Sequence, residues 1–145
     1  MQKKSRDEEM LCKIYRDCRM GVESMVKLLP DISDQNMKNT MAAQLTSYEQ
    51  FASRASELLA QSGKAPEDAG FFEKLPAEFG MAISRLADRS DSKTAELMIN
   101  GYVMGVTELK KQLADITGIS EQTAKLAGDL LQFQLGAICD MKRFL

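Results

Sequence analysis

Apolar residues recur at steps of three and four along four long segments of the chain, which is the spacing of one face of an α-helix. The stripes run from Leu11 to Leu29, from Met37 to Leu59, from Ala95 to Ile116 and from Ala127 to Phe144. No segment alternates apolar and polar residues for long enough to indicate a β-strand. The chain is therefore predicted to be all-α, with helices of about 22–30 residues, or roughly 33–45 Å.

Proline, glycine and serine residues divide this periodic pattern into separate helices. Pro30 ends the first helix because the residue before a proline avoids the α-helical region, and Ser33 is placed to cap the second. Gly63 and Gly118 stand where the second and third helices are expected to stop, and Ser120 can cap the fourth. Pieces of this length favour a four-helix bundle over an extended coiled coil.

The connection between the second and third helices is much longer than the other two. We expect helical hairpins over about residues 8–62 and 92–144, joined by a crossover over about residues 63–91 that contains a short helix. A connection of this length is too long for a tight turn, and it is long enough to return along the bundle. The whole chain, residues 1–145, is expected to be a single domain.

The two predicted hairpins share a weak internal repeat. Met20-Gly21-Val22 matches Met104-Gly105-Val106 at an offset of 84, and after one extra residue in the second turn Tyr48-Glu49 falls on Phe133-Gln134. One interpretation is that two helical hairpins look alike by chance. The interpretation that we favour is that the two hairpins are similar units. A glycine inside a helix costs about 1 kcal/mol relative to alanine, so close approach of helix backbones is expected at both glycines.

Charge and composition argue against several classes of partner. Nineteen basic and 21 acidic residues give a net charge of −2, and no basic stripe indicates nucleic-acid binding. No apolar run approaches the roughly 18–20 residues that a membrane span needs, and the charged N-terminus does not resemble a secretory signal. Three cysteines, Cys12, Cys18 and Cys139, suit reduced thiols better than a disulfide framework. We therefore expect a cytoplasmic protein.

The chain contains no histidine. This absence excludes a Ser-His-Asp triad, a Cys-His pair, a histidine general base and any histidine metal ligand. No glycine-rich phosphate loop, G-x-S-x-G elbow or C-x-x-C motif occurs either. We expect no enzymatic activity.

Three stretches of the sequence resemble the ferritin-like superfamily, and more narrowly small bacterial ferritin-like proteins. They are Arg19-Met20-Gly21-Val22, Tyr48-Glu49-Gln50-Phe51-Ala52 and the run Thr94-Ala95-Glu96-Leu97-Met98-Ile99-Asn100-Gly101 with Met104-Gly105-Val106. The resemblance covers about residues 8–144. It implies a bundle whose interior holds two metal ions by a Glu on each of two helices and a Glu-x-x-His on each of the other two.

Few of these ligands are present at the positions that the resemblance implies. Helix two offers Glu49, but the residue three later is Ala52 and not histidine. Helix four has Gln134 in place of a glutamate and Ala137 in place of the second histidine, and helix three offers Glu96. The resemblance therefore implies a degenerate di-metal site, with Glu49, Glu96 and Gln134 as its vestigial candidates.

Helix one supplies no clear ligand to that site. The level of Glu49 on helix one is near residues 12–16, which read Cys-Lys-Ile-Tyr-Arg. Glu23 lies about eight residues nearer the turn, roughly 12 Å along the helix axis, which is too far to share an ion.

Three functions remain open from the sequence. The leading one is a non-catalytic structural or binding protein without a cofactor, formed as a homodimer, in which Glu49 and Glu96 pair with basic or tyrosine side chains. The second is a metalloprotein that binds a divalent cation weakly through Glu49 and Glu96. The third is a helical adaptor that holds a protein partner through the crossover aromatics Phe71, Phe72 and Phe79.

Overall fold

The computed structural model describes residues 5–65 and 90–145. These residues form four α-helices: α1 (Arg6–Leu28), α2 (Gln35–Gln61), α3 (Asp91–Leu113) and α4 (Glu121–Lys142). A single 3-10 turn, Leu29–Asp31, follows α1. No strand occurs in either described range, and the prediction of an all-α chain is confirmed.

Each helix begins with a side chain that caps its first turn. Ser5, Ser90 and Ser120 each accept a hydrogen bond from the backbone N–H three residues later, which satisfies a donor that the helix itself leaves unpaired. The prediction for α2 is wrong by one residue. Asp34 caps this helix through Met37 N–H at 2.9 Å, while the backbone N–H of Ser33 is directed to another helix.

The helix ends follow the predicted signals with one exception. Pro30 lies in the 3-10 turn after α1, and Gly63 adopts a φ of +71° just beyond α2. Gly118 also has a positive φ of +78°, but α3 already ends at Leu113. The carboxylate of Asp115 accepts a hydrogen bond from Thr117 N–H at 3.0 Å. This local turn competes with the helix and stops it before the glycine.

The predicted crossover and its short helix fall mainly on residues 66–89, which lie outside the described residues. The same applies to the aromatic residues Phe71, Phe72 and Phe79. None of the helices that the structure does describe is long and apolar enough to cross a membrane.

The predicted apolar stripes form a common core, except for Ile116, which lies beyond the end of α3 and is 56% exposed. α1 packs on α2, α3 packs on α4, and the two hairpins meet chiefly where α2 lies against α4. The buried core takes residues from all four helices, with methionine prominent: Met10, Met25, Met37, Met41, Met98 and Met141. Methionine fills the interior well because its side chain is unbranched and flexible.

Two aspartates tie the first turn of one hairpin to the bend of the other. The carboxylate of Asp91 accepts hydrogen bonds from the backbone N–H groups of Ser33 at 2.9 Å and Asp34 at 2.8 Å. At the equivalent place in the first hairpin, Asp7 accepts from Ser120 N–H at 2.7 Å. The start of α3 is thereby held to the start of α2, and the start of α1 to the start of α4.

We predict that Asp91→Ala lowers the free energy of unfolding by about 1–2 kcal/mol, because two charge-assisted hydrogen bonds between the hairpins are lost. Glu121→Ala is the matched control, since Glu121 is likewise the first residue of its helix. The control loses only its interaction with the helix dipole, about 0.5 kcal/mol. Urea denaturation followed by circular dichroism measures both, and equal losses would contradict the role given to Asp91.

Candidate functional site

Four buried polar side chains meet in the interior of the bundle. The hydroxyl of Tyr102 on α3 donates to Gln44 Oε1 on α2 at 2.7 Å. The amide nitrogen of Gln134 on α4 donates to the hydroxyl of Tyr48 on α2 at 3.3 Å. All four side chains are buried. We call this group the tyrosine–glutamine cluster, and it connects the two hairpins by one hydrogen bond between α2 and α4 and one between α2 and α3.

The rings of the cluster belong to an aromatic stack. Tyr48 and Tyr102 lie nearly parallel with their ring centroids 5.9 Å apart. Phe133 meets the rings of Tyr48 and Tyr102 edge-on at 5.3 and 6.3 Å, and the ring of Phe51 lies 5.5 Å from Phe133. Such offset and edge-on arrangements are the favoured ones for aromatic pairs. Aromatic side chains therefore occupy the space between α2, α3 and α4 at this level.

The two glycines of the Met-Gly-Val motifs make room for the cluster. A Cβ atom at Gly21 would lie 2.6 Å from a ring carbon of Tyr48, and one at Gly105 would lie 2.6 Å from Nε2 of Gln134. The sequence predicted close approach of two helix backbones at these glycines. The structure corrects this: the group that approaches is a side chain of the cluster.

Burial raises the pKa of both cluster tyrosines above the ordinary value for a phenol. For Tyr48 the hydrogen bond from Gln134 acts in the opposite direction but does not cancel this effect. Burial also raises the pKa of the Cys18 thiol on α1. Both hydroxyls and the thiol are therefore protonated and uncharged near neutral pH.

Only one of the three vestigial metal candidates lies in the interior. Gln134 is buried in the tyrosine–glutamine cluster, whereas Glu49 and Glu96 are exposed on α2 and α3. Glu96 forms an ion pair with Lys93 of its own helix at 3.3 Å. The expectation that these carboxylates lie at the inner face is corrected, and the structure does not bring the three residues together.

An error of one residue explains the misplacement of Glu49. Each residue turns an α-helix by about 100°, so the neighbour of a buried residue points well away from the core. The repeat alignment set Glu49 opposite Gln134. In the structure, Gln134 lies against the motif glycine Gly105, and the α2 residue that lies against the other motif glycine, Gly21, is Tyr48. The signal was present in the sequence, because Tyr48 lies on the apolar stripe of α2 and Glu49 does not.

Comparison with protein families and with curated proteins finds no match for this chain. Among solved structures, the crystal structure of Dps92 from Deinococcus radiodurans is similar to it, with a TM-score of 0.64 and 14% sequence identity. The match covers 97% of this chain and 88% of that one. The chain has the ferritin-like four-helix-bundle fold. At this level of identity the likeness establishes the fold alone.

The donor set inside this ferritin-like bundle does not fit a two-metal centre. Ala52 and Ala137, the positions matched to the two histidines, are both buried and offer no ligand atom. In the parts of the chain that the structure describes, no group of three or more His, Cys, Asp or Glu side chains could hold a metal ion. The cluster supplies neutral amides and protonated phenols, whereas iron sites use carboxylates and imidazoles.

Two amide atoms of the cluster lack hydrogen-bond partners among the described residues. They are Nε2 of Gln44, a donor, and Oε1 of Gln134, an acceptor. One of the two is a donor, which cannot bind a cation, and a single amide oxygen is far from the set of oxygen or nitrogen ligands that a metal ion needs.

We predict that Gly21→Ala destabilises the ferritin-like bundle by about 1–2 kcal/mol, since displacing the Tyr48 ring outweighs the gain in helix propensity. Gly136→Ala is the matched control, because a Cβ there meets nothing within 4 Å. The control should stabilise the protein by about 0.5–1 kcal/mol. Thermal and urea unfolding measure both variants, and stabilisation by Gly21→Ala would show that the glycine makes no room for Tyr48.

We also predict a steep loss of stability at alkaline pH. Above about pH 10 the unfolded chain releases the phenol protons of Tyr48 and Tyr102, while the folded chain retains them because burial raises their pKa. The unfolded state then binds fewer protons, so stability falls as pH rises, by about 1.4 kcal/mol per pH unit for each tyrosine.

The variant Tyr102→Phe tests this assignment. Between about pH 9 and 11 it should reduce the total loss in the free energy of unfolding by about 1.4 kcal/mol, an average of about 0.7 kcal/mol per pH unit, whatever its effect on stability at neutral pH. Urea titrations between about pH 9 and 11 give the slope. An unchanged slope would show that Tyr102 does not stay protonated in the folded protein.

Proposed function

We propose that this chain is a ferritin-like bundle that has lost the two-iron centre and serves a non-catalytic binding or structural role. The observation that carries the proposal is the tyrosine–glutamine cluster. It fills the interior at the level where the resemblance implies metal ligands, and it contains no carboxylate. In this proposal the cluster is structural: its buried hydroxyls keep their protons, and none of its four side chains is charged near neutral pH.

The remaining carboxylates support the same proposal. Glu49 and Glu96 lie on the exposed sides of two different helices, and Glu96 already pairs with a lysine. A separate exposed carboxylate holds a divalent cation only weakly, since tight sites combine several oxygen ligands. The reading as a metalloprotein with a reduced ligand set is therefore not favoured, and we propose no cofactor.

We further propose that the protein forms a homodimer in the cytoplasm. Val103 and Met104 are adjacent on α3 and stay 46% and 63% exposed, so they place two apolar side chains next to each other on the solvent side of the bundle. A second copy of the chain would cover them. All three cysteines are free thiols, as a reducing compartment favours.

Sedimentation velocity tests the dimer. Wild-type protein should sediment as a dimer, and Met104→Lys should shift it towards the monomer because a charge is placed in the apolar contact. Gln50→Lys, which places the same charge at an exposed position of α2, is the matched control and should leave the dimer intact. A wild-type protein that sediments as a monomer would overturn this part of the proposal.

Metal analysis tests the proposed loss of the di-iron centre. Protein expressed with added iron, manganese and zinc and purified without chelator should contain far less than one metal ion per chain. The double variant Glu49→Ala with Glu96→Ala should match the wild type, because neither carboxylate lies in the interior. One or more ions per chain in the wild type, lost either in this variant or in Gln134→Leu, would contradict the proposal.

A further inference from the structure

One exposed stripe of residues runs along the outer side of α3. Its members follow one another at steps of four and three residues, a spacing that keeps them on one side of a helix. All of them are exposed, and the middle one, Val103, is an apolar residue that is 46% exposed. We call this surface the α3 stripe. It consists of Glu96, Asn100, Val103, Thr107 and Lys110.

The two ends of the α3 stripe carry charges of opposite sign at equal distances from its centre. Glu96 precedes Val103 by seven residues, and Lys110 follows Val103 by seven. Asn100 and Thr107, which are polar and uncharged, lie between the centre and the ends. The stripe is therefore complementary to a copy of itself that is turned end for end about Val103, because each carboxylate then meets an ammonium group. A parallel copy would set like charges against each other.

Neither of the two end charges has a strong partner within its own chain. Glu96 pairs with Lys93 at 3.3 Å, but both side chains are more than half exposed, and an exposed pair of this kind contributes little to stability. Lys110 forms no ion pair with any residue that the structure describes. Both charges are therefore accessible to a partner outside the chain.

The centre of the α3 stripe lies in an uncharged part of the second hairpin. No charged residue occurs in residues 97–107 of α3 or in residues 130–139 of α4, and these two stretches lie side by side where α3 packs on α4. The matching residues of the first hairpin, 13–23 and 45–54, include five and two charged residues. Protein interfaces are depleted of charged residues at their core and polar at their rim. The second hairpin has this distribution, and the first does not.

We propose that two copies of this chain associate through the α3 stripe, with the two α3 helices antiparallel and a two-fold axis at Val103. Glu96 then pairs with Lys110 of the partner subunit, twice in the dimer, and Val103 packs on its own copy. A two-fold contact of this kind uses the same surface on both copies. The arrangement rests on the proposed homodimer, to which it gives a surface and an orientation. Glu96, a metal candidate in the sequence, becomes a residue that selects the partner.

Charge reversal tests this arrangement, because Glu96 and Lys110 lie about 21 Å apart along one helix and cannot pair within a chain. Glu96→Lys and Lys110→Glu should each weaken the dimer by about tenfold or more at low ionic strength, since both ion pairs become repulsive. The double variant should recover the wild-type affinity. An equimolar mixture of the two single variants should form heterodimers, because opposite charges then meet at both contacts. Sedimentation velocity over a range of concentrations measures all four.

The matched control is Glu57→Lys, which makes the same change in net charge at an exposed position of α2 and should leave the dimer affinity unchanged. If the wild type and both charge-reversed variants dimerise equally well, the contact through the α3 stripe is overturned, while the homodimer itself stands. If the wild type stays monomeric at every concentration, both the homodimer and this contact are overturned. The two failures are therefore distinguishable.

Cross-linking tests the two-fold axis, in a background that carries Cys12→Ser and Cys139→Ser so that only the buried native thiol remains. A residue on the axis meets its own copy, so bismaleimidoethane should link two chains of the Val103→Cys variant. Lys93→Cys is the control, because its two copies lie about 30 Å apart along the axis of an antiparallel helix pair. Equal cross-linking of the two variants would contradict the antiparallel arrangement, and none at Val103→Cys would overturn the position of the axis.

Discussion

The hydrogen bond between Gln134 and Tyr48 joins the two helical hairpins inside the bundle, and much of the surrounding structure depends on it. The two side chains lie where α2 packs on α4, which is the main contact between the hairpins. Each requires a glycine on the neighbouring helix of its own hairpin, Gly21 for Tyr48 and Gly105 for Gln134. The aromatic stack with Tyr102 and Phe133 then closes the space around this bond. A buried polar pair of this kind is stable only if its partners are in place, so helix register and helix spacing are set together.

The side chains that form this interaction also differ from the metal ligands that the resemblance to ferritin-like proteins implies. A ferritin-like bundle with a di-iron centre directs carboxylates and imidazoles inwards. Here the inward positions of α2 and α4 carry Tyr48, Ala52, Gln134 and Ala137, and the carboxylates of Glu49 and Glu96 are exposed. Neutral groups that hydrogen-bond to one another occupy this level of the interior, where charged groups would need a metal ion to be buried. The interior at this level is part of the core.

The helices could be predicted because they depend on local properties of the sequence. Apolar spacing, the cap Ser120 and the glycine after α2 each act within a few residues, and the all-α fold followed from them. The N-cap of α2 was placed one residue early, because Ser33 and Asp34 are both favoured cap residues and the local pattern does not separate them. Glu49 was misplaced because an internal repeat of low identity does not define register to one residue. A cavity beside α1 brings together Arg6, Lys13 and Gln112 from the two hairpins, and no local sequence pattern indicates it.

The central claim is that side chains, and not metal ions, fill the bundle interior between Tyr48 and Gln134. Anomalous X-ray scattering from crystals soaked in a manganese salt tests it most directly, because the method locates each bound ion as well as detecting it. The account predicts no anomalous peak among the cluster side chains and a Gln134 amide that remains bonded to the Tyr48 hydroxyl. A well-occupied peak within about 2.5 Å of Gln134 Oε1, a distance typical of a metal–oxygen bond, would contradict it.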